Sequence, residues 1–370
     1  MTPCRRAVIA LGGNAMTGPD GSATPAAQRA ALAVAAAAVA EVVATGVEVV
    51  LTHGNGPQVG NLLVKNELAA HEVPPVPLDW CVAQTQATIG FTLADELDAA
   101  LAAHGLPQRT AALVTRTLVD ADDPHFREPS KPVGRFLPRE QAERSMAHGQ
   151  VWEDRGARGW RRVVASPEPQ RVVDVPAIEA LLAAGFVVVC AGGGGVPVVD
   201  DSDDPAHPGG ALRGVEAVID KDLTAALLAR ELDAGTLVIA TDVPHVLVGY
   251  GTPAARPLGR VTPAELRAHA AAGEFARGSM GPKVEAALRF VEGGAHGPGP
   301  SRRAVITSLE HIADAVTSDD VGTVLQKDPP APHRGRTPSS PPLASSGRDP
   351  GRGRGGPLQE GRSGPPMKEE

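Results

Sequence analysis

RAVIALGGNA, residues 6–15, is the stretch that decides how the rest of the chain reads. Ala7 to Leu11 are apolar and partly β-branched, the pattern of a short strand buried on both faces at the centre of a sheet. The strand runs into Gly12-Gly13-Asn14. Glycine takes positive φ freely and lets a bound group approach the backbone, and asparagine tolerates the same region. A buried strand that ends in this way presents backbone N–H groups at the carboxyl edge of a sheet, where open α/β folds bind ligands. One such turn by itself is equally a tight turn with no ligand.

The pattern recurs. Val47 to Thr52 form a second apolar run, followed by His53-Gly54-Asn55-Gly56, and Pro57 opens a helix. Between the two strands, Thr24 is placed to cap a helix that starts at Pro25 and stops at Gly46. Arg29, Glu41 and the weak apolarity of alanine favour packing on a sheet over a membrane span. A helix is expected from Cys81 to His104 and a strand from Thr110 to Val119. Phe186 to Ala191 form another buried strand, which ends in Gly192-Gly193-Gly194-Gly195. A helix over about Asp222–Leu232, a strand over Thr236–Thr241, and a capping box at Thr262-Pro263-Ala264-Glu265 follow. A further helix follows GSMGPK (278–283), and strands are expected over Arg303–Thr307 and Val321–Leu325. Strand and helix alternate, which predicts an α/β domain with a parallel sheet.

Two stretches depart from this rhythm. From Asp120 to about Ser166 the chain is polar, rich in Pro, Arg and Glu, and too long for an ordinary loop. It reads as a small lobe inserted beside the sheet. Asp200 to Gly210 are acidic with Pro and Gly, and are expected to be a mobile surface loop. From Lys327 onward almost no large apolar residue occurs, so the tail over 327–370 is expected to be disordered.

Composition narrows the function. Aromatics make up 3% of the 370 residues, so the core is built from Ala, Val, Leu and Ile in close α/β layers. The formal charge of −8, with no basic block in the body, excludes nucleic acid as the main partner. Cys4, Cys81 and Cys190 are odd in number and widely spaced, which suits a reducing, cytoplasmic setting rather than a disulfide framework or a metal cluster. MTPCRR leads straight into the first strand, and no signal peptide or membrane partner is expected.

Three glycine-rich turns at successive strand ends are the layout of a site for phosphates and small anions. Neither a Walker A loop nor a dinucleotide fingerprint occurs in the body. Lys221 and Lys283 each stand at an expected helix start. A lysine there opposes the helix dipole, which argues for a functional reason. Phosphoryl transfer needs positioning and charge stabilisation above all, and two ammonium groups supply that charge, with Asp222 able to hold them.

The sequence resembles the carbamate kinases of the amino acid kinase family. The resemblance is carried by ALGGNA (10–15), THGNGPQVGNLL (52–63), PLDWCVAQTQATIG (77–90), SKPVGRF (130–136), RGWRRVV (158–164), GGGGVPVV (192–199), GVEAVIDKDL (214–223), GSMGPKVEAALRFVE (278–292) and AVITSLE (304–310). It runs in order over about residues 5–326. It implies an α/β fold, an open αβα sandwich with a largely parallel central sheet of about eight strands and a small protruding lobe. It also implies one catalytic domain over 1–326 and a homodimer. The implied reaction is reversible transfer of the ATP γ-phosphate to carbamate, giving ADP and carbamoyl phosphate, with Mg²⁺. The resemblance puts Gly12, Gly13, Asn14, Gly54 and Asn55 around the small substrate. It gives Lys221 and Lys283 to the transferring group and Asp222 to the lysines. Gly193, Gly194, Thr241, Asp242, Met280 and Pro282 fall on the nucleotide side.

Many relatives in the wider superfamily carry a lysine in the first strand, where this chain has Ala10. In carbamate kinases a lysine of the protruding lobe is thought to replace it, and Lys131 matches that position. Two other readings remain open from sequence: another small-acid kinase on the same fold, or a non-catalytic nucleotide-binding regulator. Ala10 and Lys131 speak against the first, and Lys221, Asp222 and Lys283 against the second.

Overall fold

The computed structural model describes residues 6–17, 22, 24–55, 57–147, 149–202, 212–276, 278–293 and 302–327, with the side chains of residues 14 and 15 left out. Most of the expected acidic loop and nearly all of the expected tail lie outside them.

Eight strands form the central sheet. Their order is Arg260–Val261, Thr323–Gln326, Arg303–Ser308, Thr236–Thr241, Arg6–Leu11, Glu48–His53, Val187–Val189 and Thr110–Ala112. Neighbours run parallel except where Arg303–Ser308 meets Thr323–Gln326. The RAVIAL strand sits inside the sheet, and its residues alternate between two cores as strand geometry requires. Ala7, Ile9 and Leu11 face the helices Pro25–Ala44, Leu78–Ala103 and Ile312–Thr317. Val8 and Ala10 face the layer that contains Val175–Ala183, Lys221–Glu231 and Met280–Glu292. The sandwich is therefore αβα, as expected.

Local chemistry fixes the helix ends. The Thr24 hydroxyl accepts from Ala27 N at 3.3 Å with Pro25 in the first turn, and Thr262 with Glu265 forms a complete capping box. Pro25–Ala44 is long and apolar enough to cross a membrane, alone in this among the described residues. It instead lays Leu32, Ala36, Val39 and Val43 into the core, beside Leu93 and Leu97 of the neighbouring helix.

The expected single strand over Thr110–Val119 is two strands in two sheets. Thr110–Ala112 ends the large sheet, and Arg116–Val119 joins a four-stranded one with Leu212–Gly214, Val196–Asp200 and Pro169–Val172. Gln86 explains the break. Its Oε1 accepts from Thr115 N at 3.1 Å in place of a strand partner, and its Nε2 donates at 3.1 Å to Thr115 O, which also accepts from Val196 N of the second sheet at 2.9 Å. Sequence periodicity cannot register a partner that arrives from another element. The expected helix start at Cys81 lies at Leu78, and that at Asp222 lies at Lys221.

The polar insert contains a three-stranded antiparallel sheet of Lys131–Leu137, Trp160–Val164 and Val151–Asp154, crossed by the helix Arg139–Met146. Leu137, Ala142 and Trp152 form its own small core. Its root packs on the body, where Val133 joins Val59, Leu63 and Val82. A side chain at Gly60 would come within 3.3 Å of Gly134 Cα, so the glycine allows this close approach.

Candidate active site

Strand register brings the glycine turns together. Leu11 pairs with His53 on one side and with Ala240 on the other, so Gly12, Gly54 and Thr241 leave the sheet at one level. Val189 pairs with Leu51, which sets the Gly192–Gly194 turn beside them. The turns interlock. A side chain at Gly192 would overlap the His53 ring at 2.3 Å, and one at Gly193 would overlap the Asn55 amide at 2.1 Å. Gly193 also has φ +63°, which glycine adopts without strain.

His53 is buried beneath this edge, with Nδ1 at 2.8 Å from Gly54 O. The carbonyl can only accept, so Nδ1 carries the proton and donates. Burial drives the pKa of His53 down to about 4, against the smaller upward pull of that hydrogen bond, and the ring is neutral at pH 7. Asn55 Oδ1 accepts from the Thr85 hydroxyl at 3.1 Å, while its Nδ2 is buried with no partner among the described residues. A buried donor left open at the lip of a cleft is suited to an acceptor on a ligand.

Charge enters from the opposite wall. The Lys221–Glu231 helix is capped by Asp220, whose Oδ1 accepts from Asp222 N at 2.9 Å and Leu223 N at 3.3 Å. This cap sets Lys221 and Asp222 on the first turn. Lys221 Nζ donates to both Asp222 oxygens, at 3.1 and 3.0 Å, and Lys283 Nζ donates to Asp222 Oδ2 at 3.0 Å. A side chain at Gly54 would lie 3.1 Å from Lys221 Cδ, so the lysine stem passes directly over the second glycine turn.

One carboxylate therefore serves two ammonium groups, and both it and Lys283 are buried. Burial disfavours the Lys221 ammonium, but Asp222 and Asp220 outweigh it and hold the pKa above the ordinary lysine value. For Lys283 burial wins, with Lys221 adding repulsion, and its pKa falls below that value. Lys131 reaches in from the lobe, with Nζ at 3.3 Å from Asp220 Oδ2 and 3.2 Å from Ile219 O.

A cavity of about 620 Å³ lies between these walls. It is lined by all four expected charged residues, Lys131, Lys221, Asp222 and Lys283. Gly12, Gly13, Gly54, Asn55, Gly193, Thr241, Asp242 and Pro282 also line it. Gly194 and Met280 are not among its lining. The Gly194 carbonyl instead accepts from the Thr117 and Thr224 hydroxyls at 2.8 and 3.2 Å, and Met280 packs against the core. Asn14 lies in the 3₁₀ turn Gly13–Met16, and its side chain is outside the described residues. The sequence assigns no role to Asp220, Thr85 or His53. Asp220 alone had a legible signal, an acidic residue directly before a helix start.

Among the described residues, no group of three or more His, Cys, Asp or Glu side chains is placed to hold a metal ion. The carboxylates of Asp220 and Asp222 are engaged by lysines, whereas Asp242 Oδ1 accepts from the Thr241 hydroxyl at 3.0 Å. This set fits a Mg²⁺ carried in on phosphate oxygens and water, with at most one or two protein carboxylates.

The chain is similar to known proteins over most of its length. Residues 5–298 match the model of the amino acid kinase family. Carbamate kinase 1 of Enterococcus faecium is 41% identical over 324 residues, covering 87% of this chain and 99% of the relative. Carbamate kinase of Thermococcus kodakarensis is 43% identical, covering 84% of this chain and 96% of the relative. The carbamate kinase of Giardia lamblia bound to AMP-PNP superposes with a TM-score of 0.79 at 37% identity, covering 89% of this chain and all of that one.

Proposed function

The chain belongs to the amino acid kinase family, among its carbamate kinases, and from that premise we propose how its cleft transfers a phosphoryl group between ATP and carbamate. The enzyme is an ATP-dependent phosphotransferase whose reversible reaction joins ATP and carbamate to ADP and carbamoyl phosphate. The observation that carries this reading is the sharing of Asp222 by Lys221 and Lys283 directly above the glycine turns.

The turns at Gly12-Gly13 and Gly54-Asn55 hold the carbamoyl end. Gly54 N–H is taken by Leu11 O at 3.1 Å, so the other backbone N–H groups of these turns and the open Asn55 amide donor are the ones suited to a small planar anion. The nucleotide enters beside Gly193, Thr241, Asp242 and Pro282, on the other half of the same cavity. Lys221 and Lys283 meet the equatorial oxygens of the phosphoryl group in transfer, where negative charge is spread. Asp222 fixes both ammonium groups, so little reorganisation is needed during the reaction. Lys131 brings a third charge to the small substrate from the lobe. No general base is required, because the carbamate oxygen is already anionic and the protein needs only to align it and exclude water. Mg²⁺ supplies countercharge to the nucleotide phosphates, and Asp242 would be the protein's contribution to holding it.

The active form is a homodimer. The Leu78–Ala103 helix leaves Trp80 and Phe91 60% and 53% exposed, and Val114, 50% exposed, lies just past the edge strand Thr110–Ala112. Exposed large apolar side chains on this helix and beside the edge strand are the material of a subunit interface. The enzyme works in the cytoplasm, toward ATP synthesis in arginine or purine catabolism.

The test is direct. Purified protein is mixed with ADP, Mg²⁺ and carbamoyl phosphate, and ATP is read by luciferase against a Lys221→Ala blank. ATP well above the blank is expected, and none above it would overturn the reading.

A further inference from the structure

We propose that Asp220 is a positioning residue that docks the lobe lysine, joining the lobe to the helix that carries the two lysines of the body. The inference rests on the phosphotransfer reading above and adds a residue to it. Asp220 divides its carboxylate between two tasks. Oδ1 caps the Lys221–Glu231 helix through the N–H groups of Asp222 and Leu223, and Oδ2 receives the Lys131 ammonium. An ammonium has three N–H donors. Two from Lys131 are engaged, by Asp220 and by the Ile219 carbonyl, which leaves one for a substrate oxygen.

The surrounding backbone makes this a junction. Lys131 pairs with Val164 at the root of the lobe. Ala165, the residue just past the end of that strand, bridges Ala217, and its carbonyl accepts from Val218 N at 3.0 Å. The lobe thus meets the body along 217–220 by backbone and side chain together. Burial opposes the Asp220 carboxylate, but Lys131 and Lys221 hold its pKa below the usual range, so it is ionised at neutral pH. Both partners of the Lys131–Asp220 pair keep about a quarter of their side chains exposed, 27% and 23%. A pair in that environment is weak enough to yield when the lobe moves.

Asparagine caps a helix about as well as aspartate but carries no charge, so Asp220→Asn separates the two tasks. The expected result is a melting temperature near that of the parent and a kcat/KM for carbamoyl phosphate lower by about tenfold, with KM for ADP within about twofold. In Lys131→Ala, adding Asp220→Asn should cost no more than about another twofold, because the lobe partner is already gone and Lys221 keeps its bonds to Asp222. Additive losses, or a parallel rise in the KM for ADP, would overturn the proposal and leave Asp220 a cap only. Hydrogen exchange needs no substrate and keeps this question separate from the activity itself. Faster exchange across residues 131–137 in Asp220→Asn is expected, and unchanged exchange there would also overturn the docking role, whether or not the chain makes ATP.

Discussion

The two walls of the cleft hold their lysines in different ways. On the body, Lys283 and Asp222 keep only 10% and 4% of their side chains exposed, and the pair is wedged between helices that share one core. Where the lobe meets the body, Lys131 and Asp220 keep 27% and 23%. The first arrangement removes charge from water and is tolerated only because every group has a partner. The second stays partly solvated, so it forms and breaks at small cost. The difference separates fixed electrostatics, built into the sandwich, from an adjustable charge, mounted on a lobe with its own small core of Leu137, Ala142 and Trp152.

The sharpest way to break the comparison is to remove charge from the body. Lys221→Ala or Lys283→Ala is expected to lower kcat by about 10² or more, as for loss of a preorganised electrostatic contact. Near-normal turnover in both variants would show that the body's lysines are structural. On the lobe the expected effect is smaller. Lys131→Ala should reduce turnover about tenfold while ATP affinity stays close to the parent. If nucleotide affinity alone changed, the lobe would belong to the nucleotide half.

The rigidity of the body can be probed without substrate. Folded His53 stays neutral down to about pH 4, whereas the unfolded chain protonates near 6.5. Between those values the unfolded state binds more protons, so stability falls as pH falls through the window. The loss from pH 7 to pH 5 should be about 2 kcal/mol in denaturant titrations, and His53→Gln should lack that share of the slope. An identical acid slope in the variant would show that His53 is accessible to protons in the folded state. The smallest effect is expected at the far end of the chain. Truncation after Gln326 should leave rate and melting temperature nearly unchanged, and a clear loss of either would tie 327–370 to the body.

Much of this was legible in the sequence because buried parallel strands and glycine turns are local signals. RAVIALGGNA and EVVLTHGN read correctly as strands that end in turns, since β-branched runs and glycine act within a few residues. The polar insert at 120–166 read as a lobe because it interrupted that rhythm. The strand switch at Thr115 was not legible, because Gln86 reaches it from a helix elsewhere in the chain. Asp220 was passed over for a related reason: its cap was local, but the lysine it receives comes from the lobe.

The sequence alone determined the alternation of strand and helix and the glycine edge. Local sterics and hydrophobic period suffice for those features. Only the tertiary structure decided that two lysines share Asp222 while the third docks on Asp220, and that Asn55 is left with an open donor. Those outcomes depend on which groups meet across the cleft. That is set by strand register and packing, to which residues far apart in the chain contribute together.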